Sequence, residues 1–146
     1  MASFPTALFL REAEVRRGLE LMLAGQAVLA EATAPILGRV GLGRAHQRIL
    51  HFVARHPNET VGALLTRLRI TKQSLNRVLN DLVERGLVEV RVGREDRRQR
   101  LLRLTDAGIA LEAELFEAMR GRMAAAYGKA GQAAVGGFWT VLEGLR

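Results

Sequence analysis

Residues 60–105 read TVGALLTRLRITKQSLNRVLNDLVERGLVEVRVGREDRRQRLLRLT, and the apolar spacing predicts four consecutive elements. Leu75, Val78, Leu79, Leu82 and Val83 follow the i, i+3, i+4, i+7, i+8 rhythm of one buried helix face. Thr71 stands where a hydroxyl caps the free N–H groups of that helix, and Gly86 where a left-handed residue ends it. The opposite face carries Lys72, Gln73, Asn76, Arg77 and Asn80, donors and acceptors suited to phosphates and to base edges in a major groove. On an isolated helix such a face is an ordinary solvated one, so its neighbours decide the reading.

Upstream, Val61, Leu64, Leu65 and Leu68 mark the inner side of a two-turn helix, joined through Arg69 and Ile70 to the Thr71 cap. Two helices so joined cross steeply. Downstream, Val88, Val90 and Val92 alternate, Gly93 to Arg97 turns the chain, and Leu102 and Leu104 alternate back, which predicts a two-stranded ribbon. Its turn and flanks hold Arg91, Arg94, Arg97, Arg98, Arg100 and Arg103 against Glu95 and Asp96. Helix, turn, helix and arginine-rich hairpin together give a winged helix-turn-helix, over 44–104 once a supporting helix at 45–55 is included.

The charge supports that reading. The 146 residues carry a net +7, and 67–103 alone hold eleven Lys or Arg against five acids, +6. Cations concentrated on the helix-turn-helix and hairpin imply a polyanion-binding surface. A size of 146 residues and 49% hydrophobic content fit one domain with a real core.

Other classes find little support. The cysteine count is zero, so disulfides, Cys-based zinc sites and thiol redox sensing are excluded. The serines are Ser3 and Ser74, and Gly128-Lys129 lacks the glycine five residues earlier that a Walker-type phosphate loop requires. No catalytic arrangement, cofactor site or metal site emerges, and the chain reads as no enzyme. His46, His51 and His56 are five apart, about 140° around a helix rather than on one metal-binding face. The apolar run from Leu19 to Leu37 is interrupted by Glu20, Gln26 and Glu31 and is expected to fall short of a membrane span. The N-terminal MASFPTALFLREAEVRR shows no leader pattern, so the cytoplasm is the expected location.

The flanks suggest association. A long helix is predicted from Thr6 to Ala34, with Leu8, Val15, Met22, Leu29 and Ile36 repeating every seven residues and Gly18, Gly25 and Ala32 forming a parallel line of small side chains. Close packing against another helix fits both lines. Pro35 and the glycines of 38–43 are expected to end it. After the hairpin, Thr105 caps a predicted helix with Leu111, Leu115, Ala118, Met119, Arg122 or Met123, and Ala126 inward, broken at Gly128 to Gly131. A last helix carries Val135, Phe138, Trp139, Val141, Leu142 and Leu145, more apolar bulk than a lone peripheral helix needs. Gly136 and Gly137 inside it cost roughly 1 kcal/mol each, which close packing of a second subunit would offset. The expected fold is therefore mainly α: one domain over 1–146, with dimerisation helices at 6–38 and 105–146 flanking the basic module.

In helix order and spacing, residues 10–145 resemble the MarR family of bacterial transcription regulators. The most specific parts are Gln47-Arg-Ile-Leu50, Leu82-Val-Glu-Arg-Gly-Leu-Val88, Asp96-Arg-Arg98 and the return Leu101-Leu-Arg-Leu-Thr105 with Gly108. The resemblance implies a homodimer on pseudo-twofold double-stranded DNA, acting as a repressor of palindromic operators. It places Thr71, Lys72, Gln73, Ser74, Asn76, Arg77 and Asn80 on the major-groove helix and Arg94, Arg97 and Arg98 on a wing at the minor groove, with Asp96 orienting Arg98. A narrow A·T-rich minor groove attracts an inserted arginine, in accord with that assignment. Ligand-responsive members imply a small aromatic acid between dimer helices and reading module, though no motif here identifies one. Where many members resemble Asp-Arg, this chain has Asn80-Asp81, so a contact from that basic position does not carry over. The alternative, a winged helix that binds protein, fits the arginine-dense hairpin poorly, because protein interface cores are depleted in charge.

Overall fold

The structure is a computed structural model and describes residues 7–146. A single 3-10 turn, Leu8–Leu10, precedes α1 (Glu12–Val40), α2 (Arg44–Arg55), β1 (Glu59–Thr60), α3 (Val61–Leu68), α4 (Lys72–Glu84), β2 (Val88–Val92), β3 (Arg100–Leu104), α5 (Asp106–Ala130) and α6 (Gln132–Glu143). The expected mainly helical, winged architecture is present.

The core lies inside the helix-turn-helix layer. Leu75, Leu79 and Leu82 of α4 meet Ile49, Leu50 and Val53 of α2, Leu64 and Leu68 of α3, Val88 of β2, and Leu102 and Leu104 of β3. Leu50, Leu75 and Leu82 are completely enclosed, each contributing about 2 kcal/mol of transfer free energy. Val83, expected on the buried face, sits at its exposed rim.

The sheet has three antiparallel strands in the order β1-β3-β2, one more than the expected two-stranded wing. Val88 pairs with Leu104 and Val90 with Leu102, while Glu59 pairs with Leu102 from the other side. Two residues of β1 are too few for a period-two signal, so this strand leaves no pattern in the sequence. Val88 is buried, whereas Val90 and Val92 are exposed, because the ribbon runs out beyond the helices that cover its base.

Two helix ends correct the sequence reading. α1 continues through Pro35 to Val40 and stops where Gly41 adopts φ 68°, with the Leu42 N–H returning to the Leu37 carbonyl at 2.9 Å. Proline removes the hydrogen bond to the carbonyl four residues earlier. Here that is Glu31, which like Pro35 faces solvent, while buried Thr33 and Leu37 anchor the helix on either side. The other end begins at Glu12, and Thr6, its expected start, lies outside the described residues. α5 likewise runs through Gly128 and ends at Gly131, φ 87°.

The N-terminal half of α1 and all of α6 stand outside the core. Val15, Leu19, Leu21 and Leu23 are exposed, as are Phe138, Trp139, Val141 and Leu145. Contrary to the expectation for its apolar run, α1 is by length and composition alone apolar enough to cross a membrane, with an 18-residue window of mean hydropathy 1.4.

Candidate nucleic-acid interface

α4 is built to present its first turns. The Thr71 hydroxyl accepts from the Ser74 N–H at 3.1 Å and donates to Ser74 Oγ at 2.9 Å, satisfying the helix start without covering it. Arg69, at φ 52°, makes the turn from α3. Arg48 of α2 donates to the Leu68 carbonyl at 3.1 Å and holds that turn in place. Lys72, Gln73, Ser74, Asn76, Arg77 and Asn80 are all exposed, and four buried side chains fix the opposite face.

The wing turn is closed by its own hydrogen bonds. The Gly93 N–H donates to the Gln99 carbonyl and the Gln99 N–H to the Asp96 carbonyl, both at 3.1 Å. A Cβ on Gly93 would lie 2.6 Å from the Asp96 carbonyl oxygen, so this tight return requires glycine. Asp96 Oδ1 accepts from the Arg98 N–H at 3.0 Å and from Arg98 Nε at 3.2 Å, while the Arg98 side chain stays 92% exposed. Glu89 in the stem pairs with Arg91 at 2.9 Å and Arg103 at 3.4 Å. Arg94 and Arg97 in the turn and Arg100 at the start of β3 are exposed and make no ion pair among the described residues. Arg91 and Arg103 thus share one carboxylate and are partly neutralised, whereas Arg94, Arg97 and Arg100 keep their charge free for an external partner.

A second cluster escaped the sequence reading. Asp81 Oδ2 lies 2.7 Å from His46 Nε2, and Asp81 Oδ1 accepts from Arg85 Nε at 3.1 Å. Arg85 also donates to the Val40 and Gly41 carbonyls at 3.0 and 3.3 Å, tying the end of α4 to the end of α1. Arg85 first, and then His46, hold the Asp81 carboxyl below its ordinary range. The position where the family resemblance left no basic contact therefore joins helices. Asp81 and Arg85 are four apart and legible as a helix pair. His46 is thirty-five residues away from Asp81, and no local signal links them.

An open cavity of about 340 Å³ lies between α1, α2 and α5, lined by Gln26, Leu29, Thr33, Arg44, Gln47, Arg48, His51, Phe52 and Met119. Thr33 Oγ1 donates to Gln47 Oε1 at 3.2 Å, and Gln47 Nε2 lies 3.3 Å from Met119 Sδ. Burial lowers the His51 pKa, with Arg55 and His56 adding to the effect and Glu112 opposing it. The three histidines point three ways: His46 to Asp81, His51 into the cavity, and His56 toward Glu59 at 4.0 Å.

A family model described as "MarR family" matches residues 40–99. The HTH-type transcriptional regulator PetP of Rhodobacter capsulatus is 49% identical over 140 residues, covering 96% of this chain and 84% of PetP. This chain belongs to the MarR family. Family members are DNA-binding transcription regulators rather than enzymes. Among solved structures of this MarR fold, NadR in complex with 4-hydroxyphenylacetate aligns with a TM-score of 0.76 at 24% identity, over 97% of both chains. The transcriptional repressor CouR bound to a 23-mer DNA duplex aligns at 0.68 and 20% identity, over 98% of this chain and 99% of CouR. The MarR-family match spans α2 to the wing turn, the region that contains α4 and the arginine-rich tip.

Proposed function

We propose that this MarR-family chain is a homodimeric repressor of palindromic operators whose DNA contacts come from α4 and the wing tip. Thr71, Lys72, Gln73, Ser74, Asn76, Arg77 and Asn80 meet phosphates and base edges in the major groove. Arg94, Arg97 and Arg98 reach the flanking minor groove, with Asp96 holding Arg98. The observation that carries this reading is the exposed polar face of α4 beside a wing on which Arg94, Arg97 and Arg100 make no ion pair among the described residues and the Arg98 side chain, though bonded to Asp96, stays 92% exposed. CouR's complex with a DNA duplex supports it.

The exposed apolar lengths of α1 and α6 are the dimer layer, which places the two reading modules on successive major grooves about one helical turn apart. This accounts for the hydropathy of α1 without a membrane and suits a protein working in the cytoplasm. The cavity takes a small aromatic acid: Phe52 and Leu29 offer apolar walls, and Arg44 and Arg48 offer cations to a carboxylate. NadR's 4-hydroxyphenylacetate complex supports that ligand class. Release from DNA on binding such a ligand is the regulatory step.

The experiment is anisotropy of labelled duplex with purified protein across a salt series. A linear fall of log affinity with log salt, with a slope near −0.9 per phosphate contacted, is expected. Binding insensitive to salt would contradict the proposed contacts.

A further inference from the structure

The recognition helix is held from behind by one turn of α2. The His46 ring sits three residues into α2, where its Nδ1 accepts the Gly43 N–H at 3.1 Å, the return half of a capping box. A neutral imidazole that accepts at Nδ1 carries its proton on Nε2. Nε2 therefore donates to Asp81 Oδ2, 2.7 Å away on α4. The backbone of α2 thus fixes the tautomer that reaches the recognition helix.

The next residue points to another side of α2, about 100° around the helix. Gln47 bonds Thr33 of α1 and approaches Met119 of α5, both on the cavity wall. A change in the spacing of α1 and α5 is therefore felt by the same turn that grips α4. Arg85 closes the circuit, since its guanidinium joins Asp81 to the last carbonyls of α1.

We propose that the first turn of α2 positions the recognition helix, His46 carrying the contact through Asp81 and Gln47 tying that turn to the cavity walls. His46 touches no DNA in this account; it is a positioning residue. The inference rests on the reading of α4 as the DNA-contacting helix.

The test uses the full-length chain and three variants. His46→Gln keeps an acceptor for Gly43 and a donor that reaches Asp81, while His46→Asn is one methylene too short to serve both, and Asp81→Ala removes the partner. Affinity is measured for a duplex selected by the wild type from random DNA and for a scrambled duplex, alongside the melting temperature. His46→Asn is expected to lose about tenfold on the selected duplex, because binding must then also recruit a helix position populated only about one-tenth of the time. The scrambled duplex should be little changed, and the melting temperature lowered only by the loss of one partly exposed bond. His46→Gln should restore the affinity. In the Asp81→Ala background His46→Asn should add nothing, as coupled partners require.

Equal losses for Gln and Asn, losses that track the melting temperature, or an undiminished effect of Asn in the Asp81→Ala background would each overturn the proposal. Nitrogen-15 spectra of the labelled imidazoles provide an arm that needs no DNA: His46 should be protonated at Nε2, and a proton on Nδ1 would contradict the geometry. If the wild type selected no duplex at all, the reading of α4 would fail first and take this inference with it.

Discussion

Asp96 Oδ1 receives two hydrogen bonds from one residue, the backbone N–H and the Nε of Arg98. The carboxylate therefore aims a guanidinium that is otherwise in water. Because the pair is exposed, losing it should change stability by no more than about 0.5 kcal/mol. Asp96→Ala is expected to leave the melting temperature in place and weaken binding to A·T-flanked sites, as Arg98→Ala should do more strongly. Equal losses on all duplexes, seen in parallel binding curves, would make Arg98 a general phosphate contact rather than a minor-groove reader.

Gly108 provides a test of the scaffold. It sits in the first turn of α5, packed against the Leu87 carbonyl so closely that a Cβ would overlap the oxygen. The same carbonyl accepts the Thr105 N–H at 3.1 Å, and Thr105 caps α5 through the Gly108 N–H. Gly108→Ala forces the backbone apart and should cost about 1–3 kcal/mol in urea denaturation. A stability gain, as expected for alanine in an unconstrained helix, would mean that the contact relaxes freely.

What the sequence could reveal follows from the range over which each signal acts. α4 was legible because its cap, apolar face and terminator lie within sixteen residues, and Thr71 and Gly86 do what their chemistry predicts. The wing was legible for the same reason. Pro35 misled because its effect depends on whether the Glu31 carbonyl meets water, which only the folded position decides. The His46–Asp81 bond and the cavity depend on helices brought together from distant parts of the chain, where local periodicity carries no information. Asp96 is assigned by the resemblance alone, and its two hydrogen bonds from Arg98 are visible only in the folded turn.

His51 makes stability depend on pH. Its folded pKa is lowered, chiefly by burial, so the unfolded chain binds the proton more readily and acid favours unfolding. The stabilisation is complete above the ordinary histidine value and is lost as pH falls through and below it. Between about pH 7 and about pH 5 the melting temperature should fall less for His51→Gln than for the wild type. Identical pH profiles would remove His51 as the source of that acid sensitivity.

Association is tested on α6. Val141 is exposed in the single chain, so Val141→Asp should change its intrinsic stability by no more than about 0.5 kcal/mol. In a dimer layer the same carboxylate would be buried against apolar side chains and would oppose assembly. Sedimentation should give twice 16.1 kDa for the wild type and the single mass for the variant. A wild-type monomer at micromolar concentration would remove the proposed dimer.

The central claim, sequence-specific reading of DNA by α4 and the wing, is tested most directly by selecting binding sites from random duplex DNA at two salt concentrations. The account predicts enriched palindromes with half-site centres about one helical turn apart, retained at the higher salt. Binding that enriches no sequence and fades smoothly with salt would contradict it, reducing the basic face to a non-specific surface.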